Sequence, residues 1–248
     1  MYVSTRALVI RSVPYRDSDR ILTVLSDKLG RITVKVRGAS RKNSPLSSAS
    51  QLFCCSDMVL FEKDGRYTLN EAHITEQFEG LRADLWSMSL ASYFAEVLSS
   101  QEEDEALGSS ELLRLSLNCL YALASGKYYR ELVKAAFELR YISLSGYEPD
   151  LSSCALCGCL LSGDTRALPE KGEIYCLECA PRFGVELSLS ALTAARHFVS
   201  CELKKLLQVS LTRQDARNLS EFSARYLKSC LERGFKTLDF YYSLGDIQ

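Results

Sequence analysis

Cys154-Ala155-Leu156-Cys157 and Cys176-Leu177-Glu178-Cys179 form two Cys-x-x-Cys pairs with eighteen residues between them. Thiolates are soft anionic ligands, and two pairs at this spacing supply four of them to one tetrahedral Zn2+. Each pair, on a tight knuckle turn, offers two sulfurs about one ligand edge apart, and a hairpin between the pairs closes the tetrahedron. Gly158 and Gly172 suit the backbone freedom that such turns need. Four protein ligands leave no position open for a substrate, so the expected ion, one per chain, is structural. Two unrelated pairs of buried cysteines are the bland alternative. A redox dithiol is another, but it needs a single Cys-x-x-Cys inside a βαβ pattern, which is missing here. Cys159, two residues after Cys157, is a rival ligand or a bystander.

A second set of residues is cationic. In Arg31-Ile32-Thr33-Val34-Lys35-Val36-Arg37, period-two alternation sends Ile32, Val34 and Val36 to one side and Arg31, Thr33, Lys35 and Arg37 to the other. Arg41 and Lys42 follow on a Ser/Gly-rich loop, and Tyr15 and Arg16 lie on an earlier polar turn. Residues 1–50 hold ten Lys and Arg against three Asp and Glu, a balance of +7; 51–150 come to −9 and 151–248 to +1, within a net charge of −1. A nearly neutral chain with so basic a beginning has one face prepared for a polyanion. The competing reading is a solvated cationic surface. With few aromatics on the basic strand, phosphate contacts should dominate, with weak sequence preference and strong salt dependence.

Other chemistries lack their residues. There is no G-x-x-x-x-G-K-[ST] loop for a nucleotide, no G-x-S-x-G and no H-E-x-x-H. His73 and His197 have no evident partners, and the acidic run Glu102–Glu105 lacks the scatter over several strand ends that a two-metal nuclease needs. A zinc deaminase needs an open metal position and an H-x-E or C-x-E segment, neither of which is found. The expectation is a protein that catalyses no reaction.

The elements that must position these residues follow from periodicity. Strand patterns run through Ala7–Arg11, Arg20–Leu25, Arg31–Arg37, Gln51–Phe61 and Tyr67–Ile74, with turns at Lys28-Leu29-Gly30 and Lys63-Asp64-Gly65-Arg66. Five strands in some eighty residues suggest a small closed barrel of the OB type. From about Leu81 the period is helical. Helices are expected to about Leu98, from a Ser110 cap to Gly126, over Tyr128–Leu144, over Ser190–Gln208, and over Arg213–Arg233 with a Thr212/Asp215 cap. The expected class is α+β: an OB-type barrel over 1–80, then a helical domain over 81–248 with a zinc insert at about 150–183.

At 248 residues and 47% hydrophobic, the chain can bury a real core. No apolar run of membrane-spanning length occurs, and the start runs directly into an alternating pattern, so the expectation is a cytoplasmic chain without a signal peptide. Cys54, Cys55, Cys119, Cys201 and Cys230 sit among apolar residues and read as small buried hydrophobes.

End to end, the chain resembles the RecO family of bacterial DNA repair proteins. The resemblance is carried by Tyr15-Arg16-Asp17-Ser18-Asp19 with Gly30-Arg31, by Val36-Arg37-Gly38-Ala39-Ser40-Arg41-Lys42, and by Ala91-Ser92-Tyr93 with Glu96. Phe137-Glu138-Leu139-Arg140, Gly146-Tyr147-Glu148-Pro149 with Leu151, and the four cysteines complete it. Where the family's basic loop reads Lys-Gly-Ala-Arg, this chain has Arg37-Gly38-Ala39-Ser40-Arg41 and keeps the charge. The resemblance implies a nucleoid-associated mediator that binds single- and double-stranded DNA and anneals complementary strands. It implies work with RecR, sometimes RecF, in helping RecA replace SSB on gapped DNA, without a nucleotide. A protein-interaction adaptor whose barrel never meets DNA is the alternative. The resemblance further implies that the acidic, apolar tail of SSB docks on the helical domain. Such a peptide needs an apolar groove with a basic rim, and Arg130 and Lys134, beside Phe137 and Tyr141, are one candidate.

Overall fold

The structure, a computed structural model, describes residues 1–100 and 108–245; the acidic run Glu102–Glu105 lies outside them. The chain divides into two compact units, Met1–Leu120 with Phe235–Gln248, and Tyr121–Gly234.

The first unit is built on a closed five-stranded barrel with strand order β1-β2-β3-β5-β4. Its strands are β1 (Tyr2–Tyr15), β2 (Asp19–Ser26), β3 (Gly30–Val36), β4 (Cys55–Lys63) and β5 (Arg66–Glu76). β1 is long enough to serve two neighbours. Its first half pairs with β4 from Tyr2↔Phe61 to Leu8↔Cys55, and its second half with β2 from Ala7↔Ser26 to Tyr15↔Asp19. An irregularity between Val9 and Arg11 lets it turn from one partner to the other. Closure is completed by parallel pairing of β3 and β5 at Val34↔Tyr67 and Lys35↔Thr68. The interior holds Ala7, Val9, Leu22, Val24, Ile32, Val34, Val36, Met58, Leu60 and Leu69. This is the OB-type barrel that the alternation predicts.

Three helices belong with the barrel, the second of them only as far as Leu120. Asp84 accepts from the Ser87 N–H and caps α1 (Leu85–Leu98). α2 (Ser109–Ser125) starts one residue before the expected Ser110 cap, and Ser109 Oγ donates to the Asp27 carbonyl at 3.0 Å. The sequence pattern misses α6 (Lys236–Ser243), which packs on α1: Phe235 meets Tyr93 with ring centroids 5.4 Å apart, and Tyr241 meets Trp86 at 5.6 Å. Glu96 on α1 accepts from the Lys236 and Thr237 N–H groups, so a side chain from another helix satisfies the first turn of α6. The C-terminal helix thereby joins the unit of the barrel, although the period changes from two to 3.6 near residue 80.

The second unit contains α3 (Arg130–Leu144), α4 (Leu189–Ser200), α5 (Arg213–Cys230) and a three-stranded antiparallel sheet ordered β7-β6-β8. Its strands are β6 (Thr165–Leu168), β7 (Glu173–Cys176) and β8 (Val185–Leu187). α4 stops at Ser200 rather than near Gln208. Cys201 is extended, and the His197 ring nitrogen Nε2 lies 2.9 Å from the Lys205 carbonyl, which folds the next turn back. Leu203 and Leu206 are buried by that reversal, and their spacing had imitated a continuing helix. Thr212 caps α5 as expected, accepting from the Asp215 N–H. None of the described helices is long and apolar enough to cross a membrane.

Candidate nucleic-acid interface and metal centre

The barrel pleat fixes the cationic face. Ile32, Val34 and Val36 are at most 3% exposed, which forces Arg31, Lys35 and Arg37 outward. Lys35 does not project alone. Its Nζ lies 3.1 Å from Asp19 Oδ2 and 5.4 Å from the centroid of the Tyr15 ring. The Arg16 guanidinium sits 5.3 Å from the same ring. Asp19 also accepts from the Gly38 N–H at 2.9 Å. That bond and the neighbouring Lys35 hold its carboxyl below the usual carboxylate range.

The basic loop is pinned to the same turn. Ser40 N–H donates to the Ser18 carbonyl at 2.9 Å, and Arg41 Nε donates to Ser18 Oγ at 3.3 Å. Gly38, at φ +65°, lets the chain reverse there with Arg41 folded close against it. Tyr15, Arg16, Lys35 and Arg41 therefore meet at one end of the barrel, with Arg37 and Lys42 exposed beside them in the chain. Arg31, at the other end of β3 and half-buried, lies about 13 Å along the strand from Lys35 at roughly 3.3 Å per residue. The pattern of charges found the cations but not Ser18 and Asp19, which tie the loop in place. The available signal was Ser18-Asp19 directly before a strand, opposite a lysine one strand away.

The cysteines converge in the second unit. Cys154 Sγ, Cys157 Sγ, Cys176 Sγ and Cys179 Sγ all lie within 4.8 Å of one another, with Cys157 and Cys176 3.9 Å apart. Zn–S bonds of about 2.3 Å in a tetrahedron give sulfur edges of about 3.8 Å. The donor set and its spacing fit such an ion. Gly158, at φ +72°, turns the first knuckle, with its N–H on the Cys154 carbonyl at 2.9 Å. Cys179 N–H reaches the Cys176 carbonyl at 3.0 Å in the second. Burial pushes the Cys154 thiol up, but the Cys157, Cys176 and Leu156 N–H groups outweigh it and bring the thiol down to about 6. N–H groups aimed at sulfur are what a thiolate ligand needs.

The frame around the thiols is tied to the helices. Arg196 on α4 donates to the Leu151 carbonyl at 2.7 Å and to the Leu161 carbonyl at 2.8 Å, holding both ends of the first knuckle segment. β6 and β7 form the hairpin between the pairs, with Thr165 opposite Cys176. Its turn is bound to α5, where Arg225 pairs with Glu170 at 2.7 Å and Ser229 Oγ donates to the Glu170 carbonyl at 2.8 Å. Gly172 belongs to this hairpin turn rather than to a knuckle. It has φ +67°, and a Cβ there would lie 2.8 Å from the Tyr226 ring. Cys159 is exposed and is not one of the four thiols that lie within 4.8 Å of one another, although its own thiol interacts with those of Cys157 and Cys176. Of the other five cysteines, Cys54, Cys55 and Cys119 are buried, while Cys201 and Cys230 are only partly so.

The expected peptide groove on α3 is not there. Lys134 and Phe137 are fully buried and Tyr141 is 1% exposed, so Lys134 cannot form a basic rim with Arg130. Lys134 Nζ instead bonds Glu138 Oε2 at 3.0 Å, the Ser220 carbonyl at 2.8 Å and Ser220 Oγ at 3.1 Å, and Ser223 Oγ donates to Glu138 at 2.5 Å. Burial pushes the Lys134 ammonium down, and Glu138 pulls it back. A lysine one turn from an arginine looks solvated in sequence, but its acceptors on α5 lie 86 residues away.

Residues 1–78 match a family described as Recombination protein O N terminal, and residues 82–239 one described as Recombination protein O C terminal. The chain is similar to the DNA repair protein RecO of Acetivibrio thermocellus, 30% identical over 249 residues covering 100% of this chain and 99% of that one. It is 27% identical to the DNA repair protein RecO of Alkaliphilus metalliredigens, over 96% of this chain and 98% of the relative. Against that of Clostridium kluyveri the figure is 29%, over 97% and 93%. With both halves of the chain matched, and the barrel and the cysteine cluster in place, the chain belongs to the RecO family of DNA repair proteins.

Proposed function

We propose that the chain is a non-catalytic DNA-binding recombination mediator whose barrel holds single and double strands chiefly through their phosphates. What carries this reading is Arg16 and Lys35 over the Tyr15 ring, with Arg41 held to the same turn through Ser18 and Arg37 next to the Gly38 that Asp19 binds. Fixed cations beside an exposed aromatic suit a flexible polyanion, and OB barrels hold strands across this kind of surface. Lys42 and Arg31 extend the face. Cys154, Cys157, Cys176 and Cys179 hold one structural Zn2+ that fixes the β6–β7 hairpin. In the family's role the protein anneals strands and, with RecR and sometimes RecF, helps RecA replace SSB on gapped DNA. The tail of SSB docks elsewhere than on α3.

Salt dependence of binding to a single-stranded oligonucleotide, read by fluorescence anisotropy, tests the reading. Four phosphate contacts weaken affinity about 50-fold between 50 and 200 mM salt, since the slope is about −0.7 per contact on a single strand. An adaptor that never meets nucleic acid has no affinity to lose, and no binding at 50 mM is the result that favours it.

A further inference from the structure

Three exposed tyrosines fall within nine residues of the second unit: Tyr121 is 63% exposed, Tyr128 41% and Tyr129 49%. Large side chains left in water one at a time need no explanation, but three together do. Tyr121 lies one turn before Ser125, the last residue of α2, and Ser125 Oγ accepts from the Lys127 N–H at 3.4 Å. Tyr128 and Tyr129 follow immediately and lead into α3, with the Tyr129 carbonyl taking the Leu132 N–H at 3.0 Å. The three rings thus belong to one α2–α3 corner, with Lys127 exposed among them.

More cations come from α5. Arg217 lies 3.9 Å from Glu131, Lys134 bonds Ser220, and Ser223 bonds Glu138. Partners ascend together along both helices, so α3 and α5 run parallel and begin at the same end. That end carries Lys127 from the corner, with exposed Arg213 and Arg217 from α5. Its acids are already engaged. Glu131 faces Arg217, and Asp215 takes hydroxyl donors from Thr212 and Ser188, both at 2.7 Å.

We propose that this basic, aromatic corner is a second surface for single-stranded DNA, made of other residues than the barrel face, on which bases stack against Tyr121, Tyr128 and Tyr129 while Lys127 and Arg213 meet phosphates. Stacking on aromatics tolerates any base, and flanking cations follow the backbone. A duplex keeps its base faces hidden, so the corner prefers single strands. The proposal does not depend on the barrel reading, and either can fail alone.

The test is photocrosslinking of full-length protein to a 5-bromodeoxyuridine-substituted oligonucleotide, with peptide mapping, in the wild type and in Lys35→Glu/Arg37→Glu/Arg41→Glu. The expected result is adducts on Tyr128 or Tyr129 in both proteins. In the triple-variant background, residual affinity should fall about five-fold or more for each of Tyr128→Ala and Tyr129→Ala, and should fall again with Lys127→Glu/Arg213→Glu. An abasic oligonucleotide of equal length should compete at least ten-fold less well for the corner. In the wild type, adducts confined to Tyr15 and the barrel overturn the corner and leave the barrel reading standing, and adducts confined to 121–130 do the reverse. Equal competition by the abasic strand also overturns the proposal, since it removes the bases that the tyrosines are said to hold.

Discussion

Single residues divide into those whose role is declared by their type and those whose role depends on a distant partner. The four cysteines were legible because a metal needs ligands of one kind at a spacing set by the knuckle turn. Cys176→Ser removes one of four thiolates from a cluster within 4.8 Å; metal analysis should fall from about one Zn2+ per chain toward zero, with lower thermal stability. Well-folded protein that carries no metal before the substitution contradicts this. Lys134 was not legible, because nothing in its neighbourhood of sequence announces Ser220 and Ser223. Its truncation should be severe: Lys134→Ala takes the ammonium away from the buried Glu138 carboxylate, a loss of about 3–5 kcal/mol in denaturant unfolding. The double variant Lys134→Met/Glu138→Leu removes both charges and should recover most of that. If the single and double variants unfold alike, the charge pair is not what links α3 to α5.

At the scale of elements, the barrel strands were readable because one face of each is buried, so the period of two is imposed by the core. Val34 at 0% exposure and Thr33 in water are successive residues. The ends of α4 and the existence of α6 were not. Leu203 and Leu206 keep helical spacing across a reversal made by a His197 side chain bonding a backbone carbonyl, and α6 is only eight residues long. The β6–β7 hairpin followed from the cysteine spacing, but β8 did not, since three residues carry no periodicity. The hairpin turn offers a sharp check. Gly172→Ala combines φ +67° with a Cβ at 2.8 Å from the Tyr226 ring, so the melting temperature should drop, with a cost of about 1–3 kcal/mol from strain and overpacking. Gly158→Ala shares the positive φ but meets nothing within 4 Å, and should cost less. An equal loss at both would mean that backbone strain alone sets the penalty and that Tyr226 yields freely.

Across the whole molecule, charge is sorted along the chain: +7 over 1–50, −9 over 51–150 and +1 after that. Such sorting is invisible in the net charge of −1 and matters because a polyanion responds to the local field within about a Debye length of 8–10 Å. The structure concentrates the effect by tying the loop that carries Arg41 to the turn that carries Arg16, through Ser18 and Asp19. The measurement that tests the central claim most directly compares wild type with Lys35→Glu/Arg37→Glu/Arg41→Glu for oligonucleotide affinity across a salt series. The account predicts that most binding is lost, that the salt slope shrinks by about 0.7 for each phosphate contact removed, and that melting temperature and metal content stay unchanged. A triple variant that keeps both the wild-type affinity and the wild-type slope would show that the barrel face does not hold DNA.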